Sequence, residues 1–317
     1  MISPQDEWLH PVGAGVHWQE SFYFNWADPG GNSFTLARIG YRFATGRTEA
    51  LIVSLRDGAP DFLYAPINLK HEGPCSDEDP QRGLRALGFC VTLEEPLRRW
   101  RLALEGRDSM DVVFETCTPP FDYNADGRKM ASNMTGHHFE QSGCVSGWTN
   151  FKGRRREIEA FGQRDKSWGV RDWGHLEGWN WISGQFGKDL SFNLTQTIEG
   201  GRNFDNGFVH RDGANHAVTQ ADVAFQWGRQ RHRPTEARLE IRDEGGATHV
   251  IHARALASFP LVGRAWIEET HARFEWETPT GRREGHGVME HVWRAGPVEL
   301  LQRVPRVAHD LWRVLRR

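Results

Sequence analysis

The run Phe161-Gly162-Gln163-Arg164-Asp165-Lys166-Ser167-Trp168-Gly169-Val170-Arg171-Asp172-Trp173 places two Arg-Asp pairs seven residues apart, interleaved with tryptophan and glycine. A guanidinium holds a neighbouring carboxylate ionised through paired hydrogen bonds. An Asp walled by indole rings away from its Arg is instead pushed toward the protonated form and becomes a proton donor. Charge and wide rings mixed in one run suit the lining of a cavity better than a solvated loop or an apolar core. In an extended chain this spacing sends the two pairs to opposite faces, so one Asp alone points inward. Trp168 shares the face of Arg164 and Asp172; Trp173 shares that of Asp165 and Arg171. The same residues also describe a purely structural Arg-Asp-Trp network tying two halves together. Both readings stand at this level.

Three further constellations carry chemistry. In Gly136-His137-His138-Phe139-Glu140 a strand puts His138 and Glu140 on one face, where they form an acid–base pair or join a polar ladder. Their spacing is not that of a zinc helix and no third ligand lies nearby in sequence, so no metal is expected. In Gly285-His286-Gly287-Val288-Met289-Glu290 the glycines leave room beside an inward Glu290. Trp179 and Trp181 share a face, with Asn193 and Thr195 on the returning strand, and indole faces suit apolar ligands or developing cations. Phosphate-loop, nucleophile-elbow and dinucleotide fingerprints are missing from the sequence, which disfavours ATP, nicotinamide and serine-hydrolase chemistry. No cofactor is expected.

The elements that must position these residues are strands. Of 317 residues, 14 are Trp, 18 Phe and 34 Gly, a composition that favours short strands joined by tight turns. Ser21 to Trp26 alternates, with Phe22, Phe24 and Trp26 on one face and Tyr23 and Asn25 on the other. Similar strands are expected at 34–39, 51–55, 86–93, 98–105, 110–117 and 136–148. In the second half they fall at 178–186, 190–195, 203–210, 216–227, 236–242, 247–256, 263–277 and 284–294, and 71–82 reads as a loop. The pattern predicts an all-β protein of two barrel-like halves meeting near 145–175, over residues 1–150 and 151–296. Residues 297–317 form an amphipathic helix. Leu300, Leu301, Val304, Val307, Ala308, Leu311, Trp312 and Leu315 lie roughly on one face and Arg303, Arg306, Arg313, Arg316 and Arg317 mostly opposite, with Pro305 as a break or kink. Its apolar face is expected to dock on the barrel or a second subunit, with a membrane surface as the alternative.

A formal net charge of −3 gives no global attraction for nucleic acid. Cys75, Cys90, Cys117 and Cys144 have neither metal nor disulfide-framework spacing. Met1 to Leu9 lacks an apolar signal core and no stretch approaches a membrane span, so a cytoplasmic protein is expected.

His137 to Gly143 followed by Gly162 to Trp173 resembles the lipocalin-like superfamily of carotenoid 1,2-hydratases and AttH-type proteins, in its uncharacterised two-domain bacterial branch. Glu95-Pro96-Leu97-Arg98-Arg99-Trp100 and Pro119-Pro120-Phe121-Asp122-Tyr123 support the likeness, which spans nearly the whole chain. The resemblance implies two calycin-like β-barrels with a hydrophobic cavity. In the hydratase branch an Asp-His-x-Trp-Gly core supplies the acid that protonates an isoprenoid double bond. Asp165, Trp168 and Gly169 match it, whereas Lys166 stands where that branch has histidine. Its following strand carries a Tyr and an Asp; the nearest positions here are Asn193 and Thr195.

The sequence therefore predicts a cofactor-independent hydratase, isomerase or cyclase acting on an isoprenoid- or polyketide-like molecule. Asp165, Asp172, His138 and Glu290 are its candidate proton-handling groups. Arg164, Lys166, Trp168, Arg171, Trp173, Trp179, Trp181 and Asn193 are its candidate binding groups. A non-catalytic carrier of a lipid or terpenoid is the alternative.

Overall fold

The computed structural model describes every residue except 14, 16, 31, 72–77, 126–133, 264 and 317. Cys75, part of the expected 71–82 loop and Arg317 thus lie outside the described residues. The first half contributes β1 (Trp18–Asp28), β2 (Ser33–Arg42), β3 (Arg47–Arg56), β4 (Ala59–Tyr64), β5 (Leu69–Lys70) and β6 (Leu84–Ala86). It continues with β7 (Phe89–Glu95), β8 (Arg99–Leu104), β9 (Ser109–Thr116), β10 (Phe121–Asp122), β11 (His137–Phe151) and β12 (Arg154–Val170). These strands make one curled sheet, ordered β4-β3-β2-β1-β12-β11-β9-β8-β7-β6, with β5 on β3 and β10 on β11.

The second half contributes β13 (Gly178–Gln185), β14 (Ser191–Glu199), β15 (Arg202–Arg211), β16 (Ala214–Trp227), β17 (Pro234–Asp243), β18 (Thr248–Val262), β19 (Trp266–Thr278) and β20 (Gly281–Trp293). They close in order into an eight-stranded antiparallel barrel. The all-β architecture agrees with the sequence pattern, with two refinements. Only the second half closes; the first remains an open curl. The expected boundary at 150/151 falls inside the β11–β12 hairpin, and the chain changes sheet only after Val170. The reason is that β12, dense in charge, pairs with β11 from Arg154 to Trp168 and with β1 from Phe161 to Val170.

Period-two alternation explains the layers. Phe22, Phe24 and Trp26 enter the core of the curled sheet with Trp100, Phe114 and Ile39. Ile182, Leu194, Leu239, Phe274 and Met289 fill the barrel. The opposite faces of both halves meet in a third cluster, where Tyr23, Phe34 and Leu36 pack against Trp179, Trp181 and Phe259. Gly162 marks a close approach within the first sheet: a Cβ there would stand 1.9 Å from the Asn25 carbonyl oxygen.

The helix α1 (Pro297–Leu315) runs through Pro305 rather than breaking there, and it docks on a face turned from the expected one, burying Arg303, Asp310 and Val314 with Leu311 partly buried beside them. Arg303 is buried, its guanidinium 4.8 Å from the Trp293 ring and 5.0 Å from the Trp266 ring. Arg306 donates to Glu268 and to Ser258. Leu300, Leu301, Val304, Trp312 and Leu315 are left exposed. The apolar stripe failed as a guide because Glu268, buried in β19, must be neutralised, and arginines on the polar side of the helix supply the charge. Among the described residues no helix is long and apolar enough to cross a membrane.

Candidate functional site: a cavity between the halves

Antiparallel pairing lines up side chains across each sheet, and two such rows face one another. In the curled sheet, register places Leu51 beside Arg38, Arg38 beside Tyr23, Tyr23 beside Asp165 and Asp165 beside Glu140. On the outer wall of the barrel it places Thr195 beside Trp181, Trp181 beside Glu290 and Glu290 beside Glu269. A cavity of about 290 Å³ lies between the rows. Asp165, Tyr23, Trp179, Trp181, Glu269 and Glu290 are among its lining residues. It is thus a seam between the two halves.

Among the expected proton-handling groups, Asp165, His138 and Glu290 line this cavity. Asp172 does not: it lies in the connection after β12, where its Oδ1 accepts from the Gly174 amide at 2.9 Å. Of the expected binding groups, Arg171, Trp173, Trp179 and Trp181 line the cavity. Arg164, Lys166 and Trp168 occupy the even face of β12 and point away from it. Arg164 donates to Glu7 at 2.8 Å, Lys166 is bonded to Glu20, and Trp168 stacks on His10 at 4.0 Å. Asn193 is fully buried and accepts from the Tyr123 hydroxyl. The correction follows from parity: alternation sends one member of each neighbouring pair along β12 to the first core and the other to the seam.

Glu269 and Glu290 are the chemical centre of the cavity. They sit directly opposite on β19 and β20, and both carboxyls are taken out of water. The Trp179 indole N–H donates to Glu290 Oε1 at 2.5 Å. Glu269 Oε2 is buried without a hydrogen-bond partner. Burial first, then the neighbouring Glu290, holds the Glu269 carboxyl well above the usual range for glutamate. Glu290 is also raised, chiefly by burial, with the hydrogen bonds from Glu269 and Trp179 opposing the shift. Two adjacent carboxyls in a dry site cannot both ionise, so they hold one proton between them.

Asp165 faces the same space from the other sheet, and burial, its largest influence, raises its pKa against the opposing fields of His138, Arg171 and Arg38. The Tyr23 hydroxyl, raised well above its ordinary range by burial and then by Glu269, accepts from Asn25 Nδ2 at 3.3 Å. Its own proton is available to the cavity. Tyr23 meets the Trp181 ring edge-on at 5.4 Å. Glu140, by contrast, is saturated: its Oε1 is 2.7 Å from His138 Nε2 and accepts from Trp181 Nε1 at 2.9 Å, and its Oε2 accepts from Gln163 Nε2 at 2.7 Å. That carboxylate orients His138 and Trp181, consistent with the shared face expected of His138 and Glu140.

Sequence reasoning missed Glu269 and Tyr23. The only signal for Glu269 was its place in a strand that could pair with the Glu290 strand, and register was needed to bring the two acids together. Among the described residues no cluster of three or more potential ligands is arranged to hold a metal.

A curled antiparallel sheet set against a closed eight-stranded barrel is a fold shared with solved AttH-type and related structures. The chain belongs to the family described as domain of unknown function DUF7064, whose profile matches residues 3–295. Similar solved structures include an AttH-type protein from Nitrosomonas europaea, with TM-score 0.69 and 15% identity, covering 92% of this chain and 96% of that one. Kievitone hydratase from Nectria haematococca is similar with TM-score 0.63 and 11% identity, covering 86% of this chain and 88% of that one. CghA in complex with Sch210972 gives TM-score 0.65 and 14% identity over 88% of this chain and 89% of that one. At these identities the likeness is one of fold. No curated protein matches the sequence.

Proposed function

We propose that the protein is a proton-transfer enzyme of the hydratase, isomerase or cyclase kind, acting on a largely apolar, isoprenoid- or polyketide-like molecule held in the seam cavity. The observation that carries this reading is the Glu269–Glu290 pair, a carboxylic acid beside a carboxylate in a tryptophan-walled space.

Glu269 gives its proton to a carbon–carbon double bond or a carbonyl oxygen of the substrate and becomes a carboxylate. Glu290 is steadied by the Trp179 N–H, and the cation formed on the substrate offsets the second carboxylate charge during the transfer. The faces of Trp179, Trp181 and Trp173 stabilise the cationic carbon that results. Three outcomes close the reaction. Water adds and its spare proton returns to Glu269; a different proton leaves to Asp165 or Glu290; or a second double bond of the same molecule attacks, and the new cation then loses a proton to Glu269 or Glu290. Each conserves protons and electrons, so the acid–base groups suffice.

A carrier would be favoured by a lining whose acids are all locked onto arginines. Asp165, Glu269 and Glu290 form no ion pair with any described residue, which favours the enzyme. That one protein of the same fold is named a hydratase agrees with this reading. The test is to identify molecules that co-purify with the native protein by mass spectrometry and incubate them with it in heavy water. Deuterium entering the captured molecule, and failing to enter with Glu269→Gln, supports proton chemistry. Retention of the molecule without exchange supports the carrier.

A further inference from the structure

Buried arginines in this protein have carboxylate partners. Arg164 is matched by Glu7, Arg56 by Asp61, Arg303 by Glu299 and Arg306 by Glu268. Arg171, half-buried, differs from these. It lines the cavity, yet makes no ion pair with any described residue. Its Nη1 donates to Ser21 Oγ at 3.2 Å, its guanidinium lies 5.0 Å from the Trp173 ring centre, and its Nε is buried without a partner.

The surroundings are mixed: Arg38 adds positive charge, while Asp165, Glu49 and Glu290 act against it without forming an ion pair with Arg171. Arg38 and Arg42, also on the lining, both pair with one carboxylate, Glu49, at 2.8 Å. Among the described residues Glu49 is thus the acid in ion-pair contact at this end of the cavity, and it serves Arg38 and Arg42 but not Arg171. Burial, then the repulsion from Arg38, lowers the Arg171 pKa to about 10, which leaves it a cation at neutral pH. A cation without an ion-pair partner in a partly desolvated site is costly unless a ligand completes it, and a planar guanidinium with an unpartnered N–H matches a carboxylate in a two-point contact.

We infer that Arg171 anchors a carboxylate of the substrate, so that the molecule taken by this cavity is an apolar acid. The inference rests on the seam cavity being the reaction site, and it names the class of molecule that site takes. Ser21, which steadies Arg171, and Tyr23, which faces the acid pair, are successive residues on one face of β1, about 6.6 Å apart along the strand. The anchored end and the proton donor are thus separated by a few bonds, and the apolar remainder lies along the tryptophans.

The probe is decanoate, compared by titration calorimetry at neutral pH with decan-1-ol and decylamine. The whole protein should bind decanoate about 10-fold or more tighter than the alcohol, and the amine most weakly. Arg171→Met should remove the preference while leaving the alcohol bound; Arg171→Lys should keep part of it, and Ser21→Ala should reduce it. Equal binding of acid and alcohol by the native protein overturns the anchor without any variant. An undiminished preference in folded Arg171→Met overturns it as well. Glu269→Gln separates this from the proton reading, because it should keep the decanoate preference while losing deuterium exchange. Exchange without acid preference defeats the anchor alone, and acid preference without exchange on any captured ligand defeats the proton chemistry alone.

Discussion

Glu269 and Glu290 stand directly opposite one another on neighbouring strands of the barrel wall, the first buried, the second half-buried, and both facing the seam. Like charges in opposed cross-strand positions destabilise a sheet, so the pair is tolerable only with one proton retained. The Trp179 N–H at 2.5 Å favours ionisation of Glu290 and leaves the proton with Glu269. A structural requirement of the sheet thereby favours an acid that keeps its proton above the usual glutamate range.

The retained proton has a consequence for stability. Glu269, Glu290 and Asp165 all have folded pKa values above their ordinary ones, 4.5 for the glutamates and 3.8 for the aspartate. Above those ordinary values the folded chain holds protons that the unfolded chain has released, so these groups weaken the fold as pH rises. Glu20, lowered because Lys166 and His10 outweigh its burial, acts in the opposite sense, losing its contribution as pH falls. Denaturation of native protein and Glu269→Gln, compared from about pH 5 to about pH 8, should show the variant losing less stability toward the alkaline end. Parallel curves would contradict the shared proton.

Asp165 and Asp172 should separate by function. Asp165→Asn removes a carboxyl that faces the cavity and should slow turnover of a captured substrate by about 100-fold. Asp172→Asn changes a residue outside the cavity and should leave turnover within about twofold. Equal losses in the two variants would place the chemistry elsewhere.

Lys166 occupies the position of the hydratase histidine, yet its side chain belongs to the core of the curled sheet. It is fully buried, bonded to Glu20 and 4.2 Å from the centre of the Phe22 ring. Lys166→His should therefore confer no hydration activity. Lys166→Met leaves Glu20 buried without its ammonium and should cost about 3–5 kcal/mol, whereas Lys166→Met with Glu20→Leu should recover most of the loss. Chemical denaturation of both variants measures the difference; an additive double variant would mean the two residues are not coupled.

The strands were legible because alternation survives wherever one face packs on a core, as in Phe22, Phe24 and Trp26. The seam was legible in part: opposite faces for the Arg164 and Arg171 pairs follow from period two, and His138 with Glu140, or Trp179 with Trp181, follow from parity. Which face looks at the cavity was not legible, because both faces of β12 are buried, one against the first core and one against the barrel. Glu269 was invisible for another reason. Its importance comes from register with Glu290, a contact between strands that no local pattern encodes. The helix misled because its polar residues meet a buried Glu268, so amphipathicity indicated the wrong inner face.

The most direct test is infrared difference spectroscopy of the carboxyl carbonyl stretch at neutral pH, comparing native protein with Glu269→Gln and Glu290→Gln. A protonated carboxyl band present in the native protein and lost in Glu269→Gln is the predicted result. Fully ionised glutamates in the native protein, with no band for either variant to remove, would contradict the account.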